Sequence, residues 1–334
     1  MSSARTAQSN TRAVLAKLFS PIANDLKKVD HLLQSELRHS DPIIDEITQH
    51  AFRLGGKRLR PALLLLSAQM AGEVNDSHRI LAAVVEMVHT ATLVHDDVLD
   101  EATLRRHEDT INARWNNKTS ILLGDFLFSH AFYLASTLET TMGCRTIGQA
   151  TNIVCAGELR QTAASGDFDL TQESYFQIID AKTAELTACC CKLGAYYANA
   201  NEDLIRQLEV YGRHLGIAFQ IADDLLDLEG EEIQTGKSLG TDLMHLKMTL
   251  PLIRLRDQLS IREQCELKQL IAAPNPENHL QILNWLESSD AIQNARNEAR
   301  HHTYLASEAL AKTPNNPAKE SLLELTNVVS QRDS

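Results

Sequence analysis

The chain has 334 residues, of which 43% are apolar, and it carries a formal net charge of −12 with a pI near 5.5. This length and apolar content are sufficient for one large buried core or for two ordinary ones. The acidic balance excludes a general basic surface for nucleic acid, so no nucleic-acid partner is expected. No apolar run reaches membrane-spanning length, so no transmembrane segment is expected either.

Helical periodicity runs through nearly the whole chain, whereas short alternating strand patterns are hard to find. Glycine (14 residues) and proline (8 residues) are sparse and mark the expected turns. The predicted helices are 11–38, 42–54, 61–72, 76–102, 118–139, 143–165, 171–199, 202–230, 245–258, 262–272, 277–287, 291–312 and 316–331. Because no linker is long or low in complexity, we predict one all-α domain over residues 1–334, built as a large helical bundle, with residues 1–10 poorly ordered.

Two similar aspartate-rich motifs each follow about three turns of mainly apolar helix. They are Asp96-Asp97-x-x-Asp100 and Asp223-Asp224-x-x-Asp227. Residues four apart share a helix face, so each motif gathers carboxylates that repel one another unless a cation lies between them. Mg²⁺ is usually held by one or two carboxylates together with phosphates and water. We therefore predict a Mg²⁺ site with Asp96, Asp100 and Asp223 as ligands; for one motif alone, a solvated acidic face is the alternative.

Basic residues lie close to the first of these motifs and ahead of it. Lys57 and Arg60 precede an apolar helix that begins near Pro61, where backbone N–H groups and the helix dipole favour an anion. Arg105 and Arg106 follow the first motif, and their planar guanidinium groups suit phosphate. These residues predict phosphate sites, with a basic surface cap and simple ion pairs to the carboxylates as the alternatives.

Several isolated polar residues are further candidates. His89 lies two turns before Asp96 on the same helix face, so we interpret it as a site residue rather than a satisfied core histidine. Gln220 lies three residues before Asp223 on the same side. The other candidates carry little signal individually, namely Lys182, Thr183, Lys237 and Lys247.

Taken together, these residues resemble the trans-isoprenyl diphosphate synthase family (polyprenyl synthetases), of the medium- or long-chain type. The resemblance covers about residues 55–252 and, more loosely, the C-terminus. The matching strings are GGKRLRP at 55–61, HTATLVHDDVLDEATLRR at 89–106, NARWNNKTSILLGDFLFSHAF at 112–132, KTAEL at 182–186, GIAFQIADDLLDLEG at 216–230, GKSLGTDL at 236–243 and KMTLPLI at 247–253. The paired motifs in this order are far more specific than one alone. After Arg106 the family usually has glycine where this chain has His107, which leaves the shape of that loop open.

The resemblance implies a helical fold around a central cavity, a homodimer, and about three Mg²⁺ ions bound through all six motif aspartates as catalytic residues. It implies that isopentenyl diphosphate binds Lys57, Arg60, His89 and Arg106. It implies that the allylic diphosphate binds Arg105, Lys182, Thr183, Gln220 and Lys237. The six cysteines lack the spacing of a zinc site or a disulfide scaffold, which favours reduced thiols and a cytoplasmic location.

The implied reaction is Mg²⁺-assisted ionisation of an allylic diphosphate followed by head-to-tail addition of isopentenyl units. In the family, bulky aromatic residues at the positions of Ala91 and Thr92 stop growth at short products. Both residues are small here, so we predict a medium- or long-chain all-trans product whose tail runs past Met87, Val88 and Val84.

Three alternatives stay open at this point. The first is a short-chain synthase that makes farnesyl or geranylgeranyl diphosphate. The second is a non-catalytic subunit of a heteromeric prenyltransferase, against which the complete set of aspartates and basic residues argues. The third is a terpene cyclase or a head-to-head condensing enzyme, neither of which needs the isopentenyl site that residues 55–61 and His89 indicate.

Overall fold

The computed structural model describes residues 14–54, 56–105, 108–229, 241–273 and 275–330. Residues 14–18 are helical and lead into a 3₁₀ turn at Ser20–Ile22. The helices that follow are α1 (Ala23–Glu36), α2 (Pro42–Leu54), α3 (Leu59–Ala71), α4 (Asp76–Leu99), α5 (Ile111–Arg114), α6 (Asn117–Ser136), α7 (Met142–Ala163), α8 (Gln172–Ile179), α9 (Glu185–Tyr197), α10 (Glu202–Glu229), α11 (Thr241–Met244), α12 (Leu250–Gln258), α13 (Ile261–Ala272), α14 (Pro276–Glu287), α15 (Ala291–Ala309) and α16 (Pro317–Ser330).

The all-α prediction is confirmed. Strands β1 (Leu104–Arg105) and β2 (Glu108–Asp109) pair antiparallel and form the one sheet found within the described ranges. No helix in this part of the chain is both long and apolar enough to cross a membrane.

Most predicted helices agree with the structure to within three residues at each end, but the long first helix was wrong. In place of an unbroken helix over 11–38, the 3₁₀ turn at Ser20–Ile22 interrupts the chain before α1. Pro21 lies in the first turn of this short segment, and proline cannot continue a helix that already runs into it, because its ring removes an N–H donor and crowds the preceding turn. The interruption therefore has a local chemical cause.

The prediction of a helix over 245–258 was also wrong at its start, because α12 begins only at Leu250. Leu246 adopts a positive φ of 55°, a left-handed conformation that no α-helix contains. Pro251 then occupies the first turn of α12, where its missing N–H is harmless. The residues between α11 and α12 consequently form a turn, which frees Lys247 to point toward other elements.

A third difference lies inside the predicted helix 171–199. A five-residue π turn, Asp180–Ala184, separates α8 from α9. Such a turn closes hydrogen bonds one residue later than an α-helix does, so it rotates the faces of the helices on either side, and it is frequent at functional sites. It contains both Lys182 and Thr183.

Two apolar clusters form the core of the described structure. The larger cluster is built mainly from α3, α4, α6 and α9, and it includes the fully buried run 63–66 of α3. The smaller cluster gathers α12 to α15 near the C-terminus. Helix α10 contributes to both, with Leu215 in the larger cluster and Ile221 in the smaller one. Because burial of a leucine or isoleucine stabilises by about 1.5–3 kcal/mol, α10 is held firmly on both sides.

Two glycines, Gly194 on α9 and Gly212 on α10, let α9 pack closely against its neighbours. A Cβ at Gly194 would overlap the carbonyl oxygen of Leu64 on α3, and a Cβ at Gly212 of α10 would lie 2.6 Å from the carbonyl oxygen of Thr187. The Thr187 hydroxyl also donates a 2.8 Å hydrogen bond to the Gly212 carbonyl. These contacts fix α9, and with it the π turn, against α10.

Candidate active site

The first aspartate motif lies at the C-terminal end of α4, and its three carboxylates are not equivalent. Asp97 is buried, whereas Asp96 and Asp100 are half-buried. The guanidinium of Arg105 donates to Asp97 through Nη2 at 2.7 Å and through Nε at 3.0 Å. Asp97 therefore belongs to an internal ion pair, and Asp96 and Asp100 are the carboxylates that remain accessible. The alternative of an ion pair, left open for Arg105 from the sequence, is what the structure shows.

The second motif lies near the C-terminal end of α10 and repeats this division of roles. Asp224 is buried and accepts hydrogen bonds from the Tyr175 hydroxyl at 2.6 Å and from Gln220 Nε2 at 2.8 Å. Thr183 Oγ1 in turn donates to Gln220 Oε1 at 2.7 Å. Burial, followed by the nearby Asp242 carboxylate, raises the pKa of Asp224 well above its usual range. The half-buried members of this motif are Asp223 and Asp227.

Lys247 and Asp242 join the two motifs. The Lys247 ammonium lies 3.0 Å from Asp100 of the first motif and 3.7 Å from Asp242. The backbone N–H of Asp242 donates to Asp227 of the second motif at 3.0 Å. Burial opposes the charge on Lys247, but Asp242 and Asp100 outweigh it and raise the lysine pKa. The structure thus brings both motifs to one site, as their repetition in the sequence predicts.

The Asp96 carboxylate lies in a partly desolvated part of the site, among charges of both signs. Burial raises the pKa of Asp96 to about 6; Lys182 opposes this shift, while Glu158 and Asp100 add to it. Burial is thus the main cause of the raised pKa, and the nearby cations do not offset it.

Lys182 is held in place by α7. Its ammonium lies 2.7 Å from a Glu158 oxygen and donates a 2.7 Å hydrogen bond to Gln161 Oε1. Gly157 makes this approach possible, because a Cβ there would lie 2.8 Å from the backbone nitrogen of Lys182. Neither Glu158 nor Gln161 stands out in the sequence, since each is one polar residue on a mixed helix face.

The basic residues around the start of α3 include an internal anchor, Arg58, and a half-buried cation, Arg60. Arg58 adopts a positive φ of 54°, and its guanidinium lies 2.7 Å from Glu86 and 2.9 Å from Asp30. Burial lowers the pKa of Arg60, whose Nε is buried with no hydrogen-bond partner in the described structure. Lys57 is exposed. The segment therefore presents Arg60 with unused hydrogen-bonding capacity.

The remaining predicted residues lie on α4 or outside the described residues. His89 and Thr92 are half-buried, and the Thr92 hydroxyl donates to the His89 carbonyl at 2.8 Å. Ala91 is fully buried. The predicted tail-lining residues are also buried, namely Val84, Met87 and Val88. The predictions for Arg106 and Lys237 lie outside the described residues.

Residues 41–287 match the family model described as Polyprenyl synthetase. The chain belongs to the polyprenyl synthetase family. It is 32% identical to the octaprenyl diphosphate synthase of Escherichia coli (strain K12) over 320 residues, which cover 96% of this chain and 99% of that one.

Solved structures place this polyprenyl synthetase in the same group. A decaprenyl diphosphate synthase from Rhodobacter capsulatus superposes with a TM-score of 0.91 and 34% identity, covering 96% of this chain and 99% of that chain. A polyprenyl synthase from Caulobacter crescentus CB15, solved with calcium and isoprenyl diphosphate, also gives a TM-score of 0.91 with 34% identity, covering 96% and 98%.

These findings confirm the resemblance drawn from the motifs. The polyprenyl synthetase described here is a trans-isoprenyl diphosphate synthase, an enzyme of the head-to-tail prenyltransferase class, and it groups with medium- and long-chain members. The geometry adds residues that the sequence did not assign to the site, namely Tyr175, Glu158, Gln161 and Asp242. It also gives contacts to Lys247, which was a weak candidate from the sequence. Of these residues, Asp242 and Lys247 lie in the strings GKSLGTDL and KMTLPLI that carry part of the resemblance.

Proposed function

We propose that this polyprenyl synthetase lengthens an allylic diphosphate by repeated addition of isopentenyl diphosphate and releases a medium- or long-chain all-trans polyprenyl diphosphate. The observation that carries this proposal is the joining of the two aspartate motifs through Lys247 and Asp242. Two carboxylate sets with a lysine between them suit a metal-bound diphosphate, because that ligand supplies both the cation and the anion that such a mixed site requires.

The donor groups fit Mg²⁺, and about three ions are proposed per site with Asp96, Asp100 and Asp223 as ligands. The described residues contain no group of three or more His, Cys, Asp or Glu side chains that could hold a metal ion by itself. Asp96, Asp100 and Asp223 are half-buried carboxylates, and Mg²⁺ commonly takes only one or two protein carboxylates and completes its shell with phosphate oxygens and water. When bound, Mg²⁺ would supply charge neutralisation to the departing diphosphate. The calcium ion in the Caulobacter relative is likewise a divalent cation that prefers oxygen ligands.

For the allylic diphosphate, the candidate ligands are Lys182, Thr183, Gln220 and Lys237, to which we add Lys247. The contacts of Lys182 with Glu158 and Gln161 hold its ammonium near Asp96, where it would attract the diphosphate. The resemblance implies that Arg105 binds the allylic diphosphate. We propose instead that Arg105 orients the C-terminal end of α4 through its ion pair with Asp97.

For isopentenyl diphosphate, the candidate ligands are Lys57, Arg60, His89 and Arg106. Arg60 gives the strongest support, because a buried guanidinium nitrogen without a partner in the described structure is rare in proteins and suits an anionic ligand. Arg58 supports this role indirectly, since its contacts with Glu86 and Asp30 tie the segment to α4 and α1.

The side chains beneath the aspartates suit the chemistry of the allylic cation. Val84, Met87 and Ala91 are buried on α4, and an apolar surrounding excludes the water that would otherwise trap such a cation. The isopentenyl double bond then forms the new carbon–carbon bond, and the diphosphate released from the allylic carbon is proposed to take the proton lost in that step. Ala91 and Thr92 are proposed to leave room for the growing tail.

We further propose a homodimer in the cytoplasm. Helices α6 and α7 expose large apolar side chains, with Leu122 at 67%, Tyr133 at 65% and Leu159 at 72%. A dimer interface on these two packed helices would cover such side chains. All six cysteines are free, which suits a reducing compartment. Light scattering on the purified protein and on Leu122→Glu tests the dimer, and the variant is expected to be monomeric.

Release of inorganic diphosphate tests the proposed reaction. Wild-type protein with Mg²⁺ should release diphosphate only when an allylic diphosphate and isopentenyl diphosphate are both present, and Asp223→Asn should be strongly impaired. Glu202→Gln, at the opposite end of α10, is the control and should retain activity. Release from the allylic substrate alone would instead support a cyclase.

A further inference from the structure

Arg213 of α10 forms ion pairs with residues at both ends of the π turn. Its Nη1 lies 2.6 Å from Asp180 Oδ1, and its Nη2 lies 2.7 Å from Glu185 Oε2. Asp180 is the first residue of the π turn, and Glu185 is the first residue of α9 after it. One planar guanidinium therefore bridges the whole irregular segment from outside.

The segment that Arg213 bridges contains two proposed ligands of the allylic diphosphate, Lys182 and Thr183. A π turn has wider hydrogen-bonded loops than an α-helix and is rare except as a single turn at functional sites. A lysine holds a single charge on a flexible stem, but arginine presents several donors in a fixed plane. Arg213 is thus suited to fix the separation of Asp180 and Glu185, and with it the direction of the residues between them.

The backbone packing around Arg213 links the position of α10 to the position of the π turn. Gly212 and Gly216 flank Arg213 on α10, and a Cβ at Gly216 would lie 2.6 Å from Cα of Ala184, the last residue of the π turn. Helix α10 consequently packs directly against the turn, backbone to backbone. The same helix carries Gln220, which accepts the hydrogen bond from Thr183.

We infer that Arg213 is a positioning residue that holds the π turn in the conformation which directs Lys182 and Thr183 toward the allylic diphosphate. This inference rests on the proposed function and adds a residue outside the site to it. Arg213 and Asp180 are partly exposed, at 33% and 39%, so their ion pair contributes little to global stability. Its effect lies in local geometry.

Amide hydrogen exchange tests the bridge without any substrate. In Arg213→Gln, amides of residues 180–187 should exchange at least several-fold faster than in wild type. The matched control is Glu209→Gln, which removes the 3.1 Å ion pair between Lys192 and Glu209. That pair joins the same two helices and is 31% exposed on both sides. Equal exchange in the two variants would overturn the bridging role.

Steady-state kinetics test whether the loss of Arg213 weakens binding of the allylic diphosphate. Arg213→Gln should raise the KM for farnesyl diphosphate about 3- to 10-fold and change the KM for isopentenyl diphosphate less than about twofold. In an Asp180→Asn/Glu185→Gln background, Arg213→Gln should have no further effect, because the interaction is already lost. Arg213→Lys should recover part of the KM.

The kinetic and exchange results distinguish the positioning role of Arg213 from the proposed function. Equal changes in both KM values, or a full effect of Arg213→Gln in the doubly neutralised background, would contradict the positioning role. If wild-type protein does not join the two substrates at all, the proposed function fails, and the exchange result still decides whether Arg213 holds the turn.

Discussion

The ammonium of Lys247 lies 3.0 Å from the carboxylate of Asp100, although the two residues are 147 positions apart in the chain. The lysine also approaches Asp242, whose backbone N–H donates to Asp227 of the second motif. Its side chain is 20% exposed, so it is accessible to a ligand. One cation therefore lies where the two motifs meet, and we propose it as a contact for an anionic substrate.

Lys247→Gln should lower kcat/KM for the allylic diphosphate about 10- to 100-fold, because a hydrogen bond to a charged group contributes about 1.5–3 kcal/mol. Initial rates with saturating isopentenyl diphosphate measure the effect. The control is Lys192→Gln, which also loses a partly exposed ion pair but lies on α9. Similar losses in both variants would contradict a specific role of Lys247.

The two aspartates at the end of α4 should respond differently to alanine. Asp97→Ala leaves the Arg105 guanidinium, which is 15% exposed, without its partner and should lower the free energy of unfolding by about 3 kcal/mol, the lower end of the range for a buried pair. Asp100→Ala should change it by no more than about 1 kcal/mol, since its ion pair is 40% exposed on the aspartate side. Asp100→Ala should nevertheless lose most Mg²⁺-dependent activity. Urea unfolding measures both values, and equal stability losses would be inconsistent with a purely internal role for Asp97.

Tyr175→Phe should destabilise the fold by about 1–3 kcal/mol, because it removes one of two donors to the buried Asp224 carboxylate. Thermal or urea unfolding measures this loss. The control is Tyr304→Phe, whose side chain is 59% exposed. If both variants unfold alike, the hydrogen bond to Asp224 contributes nothing measurable.

Product length should depend on the helix beneath the first motif. The double variant Ala91→Phe/Thr92→Phe should give a shorter product than wild type. Thr92→Phe alone should also shorten the product, and it should disturb the core less because Thr92 is only half-buried. Chromatography of the dephosphorylated products measures their length. Leu93→Phe, also half-buried, is the control. An unchanged product in the double variant would show that the tail runs elsewhere.

A histidine pair between α10 and α15 predicts acid sensitivity. His214 Nδ1 lies 2.9 Å from His302 Nδ1. Burial, with His214 and His301 adding, lowers the pKa of His302 to about 4 from 6.5. The folded protein therefore binds fewer protons than the unfolded chain in this range, so the free energy of unfolding should fall as the pH drops from 6.5 toward 4.

His302→Gln should reduce that pH dependence. Urea unfolding at several pH values measures the slope for wild type and variant. Replacement of the exposed His31 by glutamine is the control and should leave the slope as in wild type. A slope that is unchanged in His302→Gln would show that other groups cause the acid sensitivity.

The sequence predicted most of the fold because helical periodicity is a repeated, local signal. It missed the π turn at 180–184, since one extra residue hardly disturbs the spacing of apolar positions in the flanking helices. It also missed the late start of α12, where Leu246 adopts a left-handed conformation that apolar patterns do not reveal. That residues 1–334 form one domain stays a prediction.

The candidate site was predictable where residues cluster in sequence, as in the two aspartate motifs. The sequence did not show which aspartates of each motif are internal and which are accessible. Asp97 and Asp224 are internal because of partners in other segments, such as Arg105 and Tyr175. Likewise, no local pattern shows that Lys247 reaches Asp100. Such contacts depend on the packing of distant helices, which periodicity in one sequence does not encode.

Analysis of the products of the purified protein tests the central claim most directly. Supplied with Mg²⁺, radiolabelled isopentenyl diphosphate and farnesyl diphosphate, it should yield one main all-trans polyprenyl diphosphate longer than geranylgeranyl diphosphate, and nothing when either substrate is omitted. A product formed without isopentenyl diphosphate, growth that stops at geranylgeranyl diphosphate, or no label incorporated at all would contradict the account.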